Sequence, residues 1–98
     1  MILVDVELTL PDRASALPEL LRLAEAARRA LGNLHYRVLL DAERSDRLHL
    51  SQGWSDMAAF EAYMASDTFA ALRAHLSPRL SGPPISRRYR IEADAVLP

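Results

Sequence analysis

The chain has 98 residues, no cysteine, and 12 basic against 13 acidic side chains, a formal charge of −1. Disulfides, thiolate metal sites and iron–sulfur chemistry are thereby excluded, and the balanced charge leaves no electrostatic footprint for nucleic acid or an anionic membrane surface. One domain is expected over residues 1–98, with a core over about 2–92 and a loose tail over 93–98; a core of this size favours pairing of subunits to cover a sheet face. Every basic residue is arginine, so no lysine is present for a Schiff base. The opening Met1-Ile2-Leu3-Val4-Asp5 lacks a basic leader region, and no stretch approaches the ~20 apolar residues of a membrane span, so the cytoplasm is the expected compartment.

In chain order, Ile2, Val4, Val6 and Leu8 alternate with Leu3, Asp5, Glu7 and Thr9, the signature of a half-buried strand. Pro11-Asp12-Arg13 breaks it. Ser15 is the expected N-cap of a first helix, with Pro18 in its first turn, and Leu17, Leu20, Leu21, Ala24, Ala27 and Leu31 as its apolar stripe up to a stop at Gly32-Asn33. Alternation then returns in Leu34, Tyr36, Val38 and Leu40, and after a polar loop in Leu48, Leu50, Gln52 and Trp54, which predicts a hairpin. Pairing Asp41 with Arg47 sets Leu40 opposite Leu48, Val38 opposite Leu50, Tyr36 opposite Gln52 and Leu34 opposite Trp54. The same register places His35 opposite Gly53 and His49 opposite Leu39 on the other face.

Ser55-Asp56 opens a short helix with Met57, Phe60 and Met64 at helical spacing, and Ser66-Asp67 opens another with Phe69, Leu72, Leu76 and Leu80, in which Pro78 marks a kink or an end near the last turn and Gly82-Pro83-Pro84 the stop. Gly82-Pro83-Pro84 leads into a last strand expected from Ile85 to Glu92. Strand, helix, hairpin, helix, strand is the ferredoxin-like α+β order, βαββαβ, with both helices on one face of a four-stranded antiparallel sheet. The first and last strands are then neighbours, which predicts Asp5 and Glu7 beside Arg88 and Arg90 on the open face, a face suited to a sheet-to-sheet homodimer or to solvent.

The residues that can carry chemistry converge on the space between sheet and helices. Trp54 is either the largest core residue or the end wall of a cavity there. Gln52, in line with Leu48 and Leu50, needs partners, supplied by Tyr36 across the hairpin or by a ligand. Tyr63 is placed at the edge of its helix's apolar stripe, with its hydroxyl toward the cavity or the rim; Arg73 leans toward the same cavity or snorkels to solvent. His35, His49 and His75 have no spacing that sets two imidazoles on one ion, and with three glycines in the chain there is no phosphate loop. No nucleophile elbow occurs, and no carboxylate falls on the cavity face of any strand.

Tyr36-x-Val38, Asp41, Gln52-Gly53-Trp54-Ser55, Phe60-Glu61-Ala62-Tyr63-Met64-Ala65-Ser66, Phe69, and Gly82-Pro83-Pro84 with Arg88-Tyr89 together resemble the antibiotic biosynthesis monooxygenase family, closely over roughly 34–91. The resemblance implies a dimeric α+β barrel and oxidation of a small phenol- or quinol-like aromatic with molecular oxygen, using neither metal nor flavin nor any other cofactor. It implies Trp54, Gln52 and Tyr63 as the catalytic contacts, with Phe60, Met64 and Phe69 lining the substrate; Tyr36 and Arg73 join them on geometry. An alternative is a dimer of the same fold that binds a small ligand, or serves a stress response, without chemistry. Many members carry Glu and His where this chain has Gln52 and Tyr63. A haem-degrading branch resembles the chain in fold, but its iron-ligating histidine aligns with Arg73, leaving His75 as the remaining candidate.

Overall fold

The computed structural model describes residues 1–92; the expected tail, 93–98, lies outside the described residues. The elements are β1 (Ile2–Thr9), α1 (Arg13–Arg28), β2 (Asn33–Leu40), β3 (Arg47–Trp54), α2 (Met57–Met64), α3 (Asp67–Leu76) and β4 (Ile85–Arg90). The four strands form one antiparallel sheet in the order β2-β3-β1-β4. The architecture is the ferredoxin-like one that the sequence predicts, with the helical half after the hairpin divided into α2 and α3 by Ser66, whose hydroxyl accepts the Phe69 N–H at 3.2 Å.

Helix α1 begins earlier than expected. Its N-cap is Asp12, whose carboxylate accepts the Ser15 N–H, so Ser15 is inside the helix and Pro18 falls in the second turn. The residues buried along α1 are Ala16, Leu20, Leu23, Ala24 and Ala27. They repeat at helical spacing on a face rotated from the expected one, leaving Leu21 50 % and Leu31 94 % exposed. Three alanines in that stripe, Ala16, Ala24 and Ala27, let the helix lie close to the sheet, while Leu20 and Leu23 fill the gaps, each worth about 1.5–3 kcal/mol of burial. The start of α1 is tied to the hairpin by Arg13, which donates to the carbonyls of Asp41, Arg44 and Arg47 at 3.0–3.2 Å.

The β2–β3 register follows the sequence prediction from Leu40↔Leu48 through Val38↔Leu50 and Tyr36↔Gln52 to His35↔Gly53, and Leu39 faces His49. It departs at the end: a bulge skips Leu34, and Asn33 takes the place opposite Trp54. Leu34 is left 53 % exposed. Strand β4 departs more. Arg88 pairs with Val4 and Arg90 with Ile2, while Arg87 pairs with Asp5 and Ile85 with Glu7. Arg88 and Arg90 therefore lie on the helix side, not beside Asp5 and Glu7, because β4 is an edge strand with no helix over it and all six residues are exposed. The acids on the open face are partnered from β3, Asp5 by His49 Nδ1 at 3.1 Å and Glu7 by Arg47 at 3.7 Å.

Candidate active site

Antiparallel pairing sets two rows across the helix side of the sheet. One runs Arg88, Val4, Gln52, Tyr36; the next runs Arg90, Ile2, Trp54, Asn33. Alternation in β3 sends Gln52 and Trp54 inward with Leu48 and Leu50, and α2 lowers Phe60 and Tyr63 onto them from the helix layer. Asp56 fixes that descent by capping α2, its carboxylate accepting the Ala59 N–H at 2.8 Å.

The result is a closed aromatic cluster. The Trp54 indole stacks on Tyr63 with centroids 4.8 Å apart and meets Phe60 at 6.0 Å, and Tyr63 in turn stands edge-on to Tyr36 at 6.0 Å and to Phe69 at 5.5 Å. Trp54 Nε1–H donates to Gln52 Oε1 at 3.1 Å, and the Tyr63 hydroxyl donates to the Tyr36 hydroxyl oxygen at 3.3 Å. Gln52 therefore takes the Trp54 indole as its partner, and Tyr36 bonds Tyr63 rather than Gln52. Trp54, Tyr36, Tyr63, Phe60 and Gln52 are each at most 4 % exposed. The space expected as a cavity is occupied by these rings themselves, and of the two placements open to Tyr63, cavity side or rim, the ring is buried on the inner side.

Of the eight residues singled out by sequence, Tyr36, Gln52, Trp54, Phe60 and Tyr63 meet in this cluster, and Met64 and Phe69 pack against it half-buried. Arg73 stands exposed on α3, one turn after Phe69. Arg88 was not anticipated. Its guanidinium lies 4.9 Å from the Phe60 ring centroid and donates to Met64 Sδ at 3.8 Å, covering the cluster on the β4 side. The signal that could have found it is the parity of β4, which a sequence does not fix for an edge strand with arginines on both sides.

The electrostatics of the cluster are neutral. Burial, followed by the neighbouring Tyr63, pushes the Tyr36 phenol far above its ordinary 10.0, and burial also raises Tyr63 despite its bond to Tyr36. With an amide at position 52, the cluster holds hydrogen-bond donors and acceptors but no charged base. Among the described residues no group of three His, Cys, Asp or Glu side chains could hold a metal ion. His75 Nε2 lies 2.9 Å from the Ala16 carbonyl oxygen, which ties this ring to α1. A separate surface groove of about 370 Å³ lies on the outer side of α2, against Leu31, Gly32 and Ser55, away from the cluster. No described helix is long and apolar enough to cross a membrane.

A four-stranded ferredoxin-like sheet, helices on one face, and an aromatic cluster with polar atoms between the layers define a small α+β fold. Residues 1–75 match the sequence profile of the family described as antibiotic biosynthesis monooxygenase, and the chain belongs to that family. The matched stretch contains all eight singled-out residues and ends before β4. Among solved structures, an antibiotic biosynthesis monooxygenase superposes with a TM-score of 0.86 at 19 % identity, over 95 % of this chain and 100 % of that one. PA3566 from Pseudomonas aeruginosa gives 0.80 at 23 % identity over 94 % of each chain. Rv0793 from Mycobacterium tuberculosis gives 0.78 at 19 % identity, over 97 % of this chain and 98 % of that one. At these identities the likeness is one of fold. No curated protein matches the sequence.

Proposed function

We propose that the chain is a monooxygenase that oxidises a phenol- or quinol-type fused aromatic with molecular oxygen, using no flavin or metal. The observation that carries this reading is the interlayer cluster, in which an indole N–H, an amide and two neutral phenols sit among stacked rings inside a member of the monooxygenase family. A flat substrate takes over the stacking that Trp54, Tyr63 and Phe60 now give one another, with half-buried Met64 and Phe69 moving aside. Trp54, Gln52 and Tyr63 are the polar contacts, and Tyr36, Phe60, Met64, Phe69 and Arg73 the binding surround.

The chemistry suits a site without a base. An ionised anthrone donates an electron to oxygen; recombination gives a peroxide on the ring carbon, and loss of water leaves a carbonyl. The CH₂ group becomes C=O, the second oxygen atom leaves as water with both former C–H hydrogens, and the substrate supplies all the electrons. The protein's part is to desolvate the substrate, hold it, and present donors to the developing oxyanion. The test is oxygen uptake by chelator-treated protein over anthrones and naphthohydroquinones. Turnover that Trp54→Phe abolishes is expected; no uptake above background on any substrate refutes the enzyme. Gln52, in place of a carboxylate, favours a second reading, a protein that binds such aromatics without oxidising them; saturable binding with no product separates the two.

We also propose a homodimer through the open sheet face. Its support is the apolar set that β4 presents there, Ile85 at 46 % and Tyr89 at 51 % exposure, together with Leu39 at 48 %. Sedimentation at micromolar concentration should give a dimer that Tyr89→Glu converts to monomer. A monomeric wild-type protein ends this part of the proposal.

A further inference from the structure

The helix side of β4 is unlike the rest of that sheet face. Across β1 and β3 the helix side is covered, as is β2 at Tyr36, whereas Ser86, Arg88 and Arg90 are exposed beside the edge of the aromatic cluster. No Asp or Glu occurs on the helix side of any strand, since Asp5 and Glu7 both point to the opposite face, where His49 and Arg47 engage them. Among the described residues neither Arg88 nor Arg90 has an ion-pair partner. In a chain of net charge −1, two guanidinium groups with no carboxylate partner among the described residues, beside a neutral cluster, make a local positive shelf. Arg88 is also in register with Gln52, two strands away, about 10 Å at the usual interstrand spacing. That is the span of a fused three-ring ligand.

We propose that Arg88 is an anion-binding residue of the interlayer site, and that the ligand is a fused-ring aromatic with an anionic oxygen on its edge, either a carboxylate or an ionised hydroxyl. The inference rests on the aromatic-ligand reading above and adds to it the charge and orientation of the ligand. The contact that Arg88 now makes with the face of Phe60 is the one the ligand replaces: its ring lies against Phe60 and Trp54, and the guanidinium turns to its edge oxygen. Arginine suits this exchange because its planar group stacks on rings and also donates paired hydrogen bonds in its own plane. In a site with no base of its own, a fixed cation at the substrate's edge favours ionisation of an edge hydroxyl, and the phenolate is the form that gives an electron to oxygen; an edge carboxylate is held and oriented by the same contact. The oxygen's position at the β4 side leaves the far end of the ring system against Gln52 and Tyr36.

Trp54 is the chain's single tryptophan, so quenching of its fluorescence reads binding without turnover. The probes are anthraquinone-2-carboxylate and its neutral carboxamide, and 2-hydroxyanthraquinone below and above the ionisation of its hydroxyl. Wild type is expected to prefer the charged member of at least one pair. Arg88→Gln should weaken that member by about 10- to 100-fold, the worth of a charge-assisted hydrogen bond, while the neutral member stays within about twofold; Arg88→Lys should keep part of the preference. The two pairs separate carboxylate from ionised hydroxyl as the recognised group. An unchanged charged-to-neutral ratio in Arg88→Gln overturns the proposal alone, including the case in which both ligands gain equally because Arg88 merely covers Phe60. Failure of every probe to quench wild-type Trp54 overturns the aromatic-ligand reading, and this inference with it. Arg88 is exposed, so far-UV circular dichroism should report an intact fold.

Discussion

Replacing Gln52 with glutamate changes one terminal group and tests whether the interlayer site is dry. The side chain is 4 % exposed, its neighbours across the sheet are Val4 and Tyr36, and its one hydrogen-bonded partner among the described residues is the Trp54 indole. A carboxylate there loses most of its hydration and regains one indole donor, so burial outweighs hydrogen bonding and the folded-state pKa rises above the unfolded value of about 4.3. A rise of about 2 units, well inside the range for buried carboxyls, converts to about 2.7 kcal/mol. The sign follows from the direction: a raised folded pKa leaves the variant as stable as wild type below about pH 4.3 and penalises it progressively as the pH rises through about 6.3, above which the full cost applies. With a urea m-value of about 1.5 kcal/mol/M, the midpoint of Gln52→Glu should fall by roughly 1.8 M relative to wild type at pH 8 and by little at pH 4. Urea titrations followed by Trp54 fluorescence and circular dichroism at both pH values make the measurement. Equal destabilisation at pH 4 and pH 8 would mean that water already reaches position 52, and the argument for a desolvated site would fail. If the shift is found, the variant also carries a carboxyl poised near neutrality, suited to removing a substrate proton, and its oxygen uptake should exceed wild type.

The tyrosine pair gives a prediction at the other end of the pH scale. Both phenols are raised from 10.0, so their contribution to stability is complete below pH 10 and is lost as the pH rises beyond it, and Tyr63→Phe should flatten that alkaline loss in thermal melts. Two glycines should respond differently to alanine. Gly32 sits at φ +82° with a would-be Cβ 2.5 Å from the Ala59 Cβ, while Gly82 sits at φ +91° with nothing within 4 Å. Gly82→Ala should cost about 1–2 kcal/mol from the left-handed backbone alone, and Gly32→Ala at least 1 kcal/mol more from overpacking; equal costs in denaturant unfolding would show that the turn after α1 yields freely.

Much of this architecture is written in short-range pattern. The hairpin register follows from Asp41 and Arg47 because each strand has one apolar face, and a one-residue slip would turn Tyr36, Leu48 and Leu50 outward. The same alternation placed Gln52 and Trp54 inside. The failures occur where a tertiary contact decides. Nothing local distinguishes Leu34 from its neighbours as the bulged residue. Asp12 and Ser15 are both good caps; α1 ends at Arg28, which leaves Leu31 outside it, and which of the overlapping stripes meets the sheet, Leu17 and Leu21 or Ala16 and Leu23, is decided by packing against the strands. The face of β4 was inverted because an edge strand without a helix above it does not obey the apolar-inward rule, and Arg88 escaped notice with it. The cavity was expected because large aromatics and a polar amide share one region; that Trp54, Tyr63 and Phe60 fill it by stacking depends on rotamers that spacing cannot supply.

The skipped residue in β2 has an effect beyond the sheet edge. By bringing Asn33 level with Trp54, it lets the Gly32 carbonyl accept the Ser55 N–H at 2.8 Å, so the turn that ends α1 is pinned to the turn that launches α2. The height at which Phe60 and Tyr63 hang over the sheet is therefore controlled from a segment that contributes none of the rings. Lengthening or shortening that distant turn by one residue would raise or lower α2 against the sheet and so loosen or tighten the Trp54–Tyr63 stack, while every residue of the cluster stayed the same.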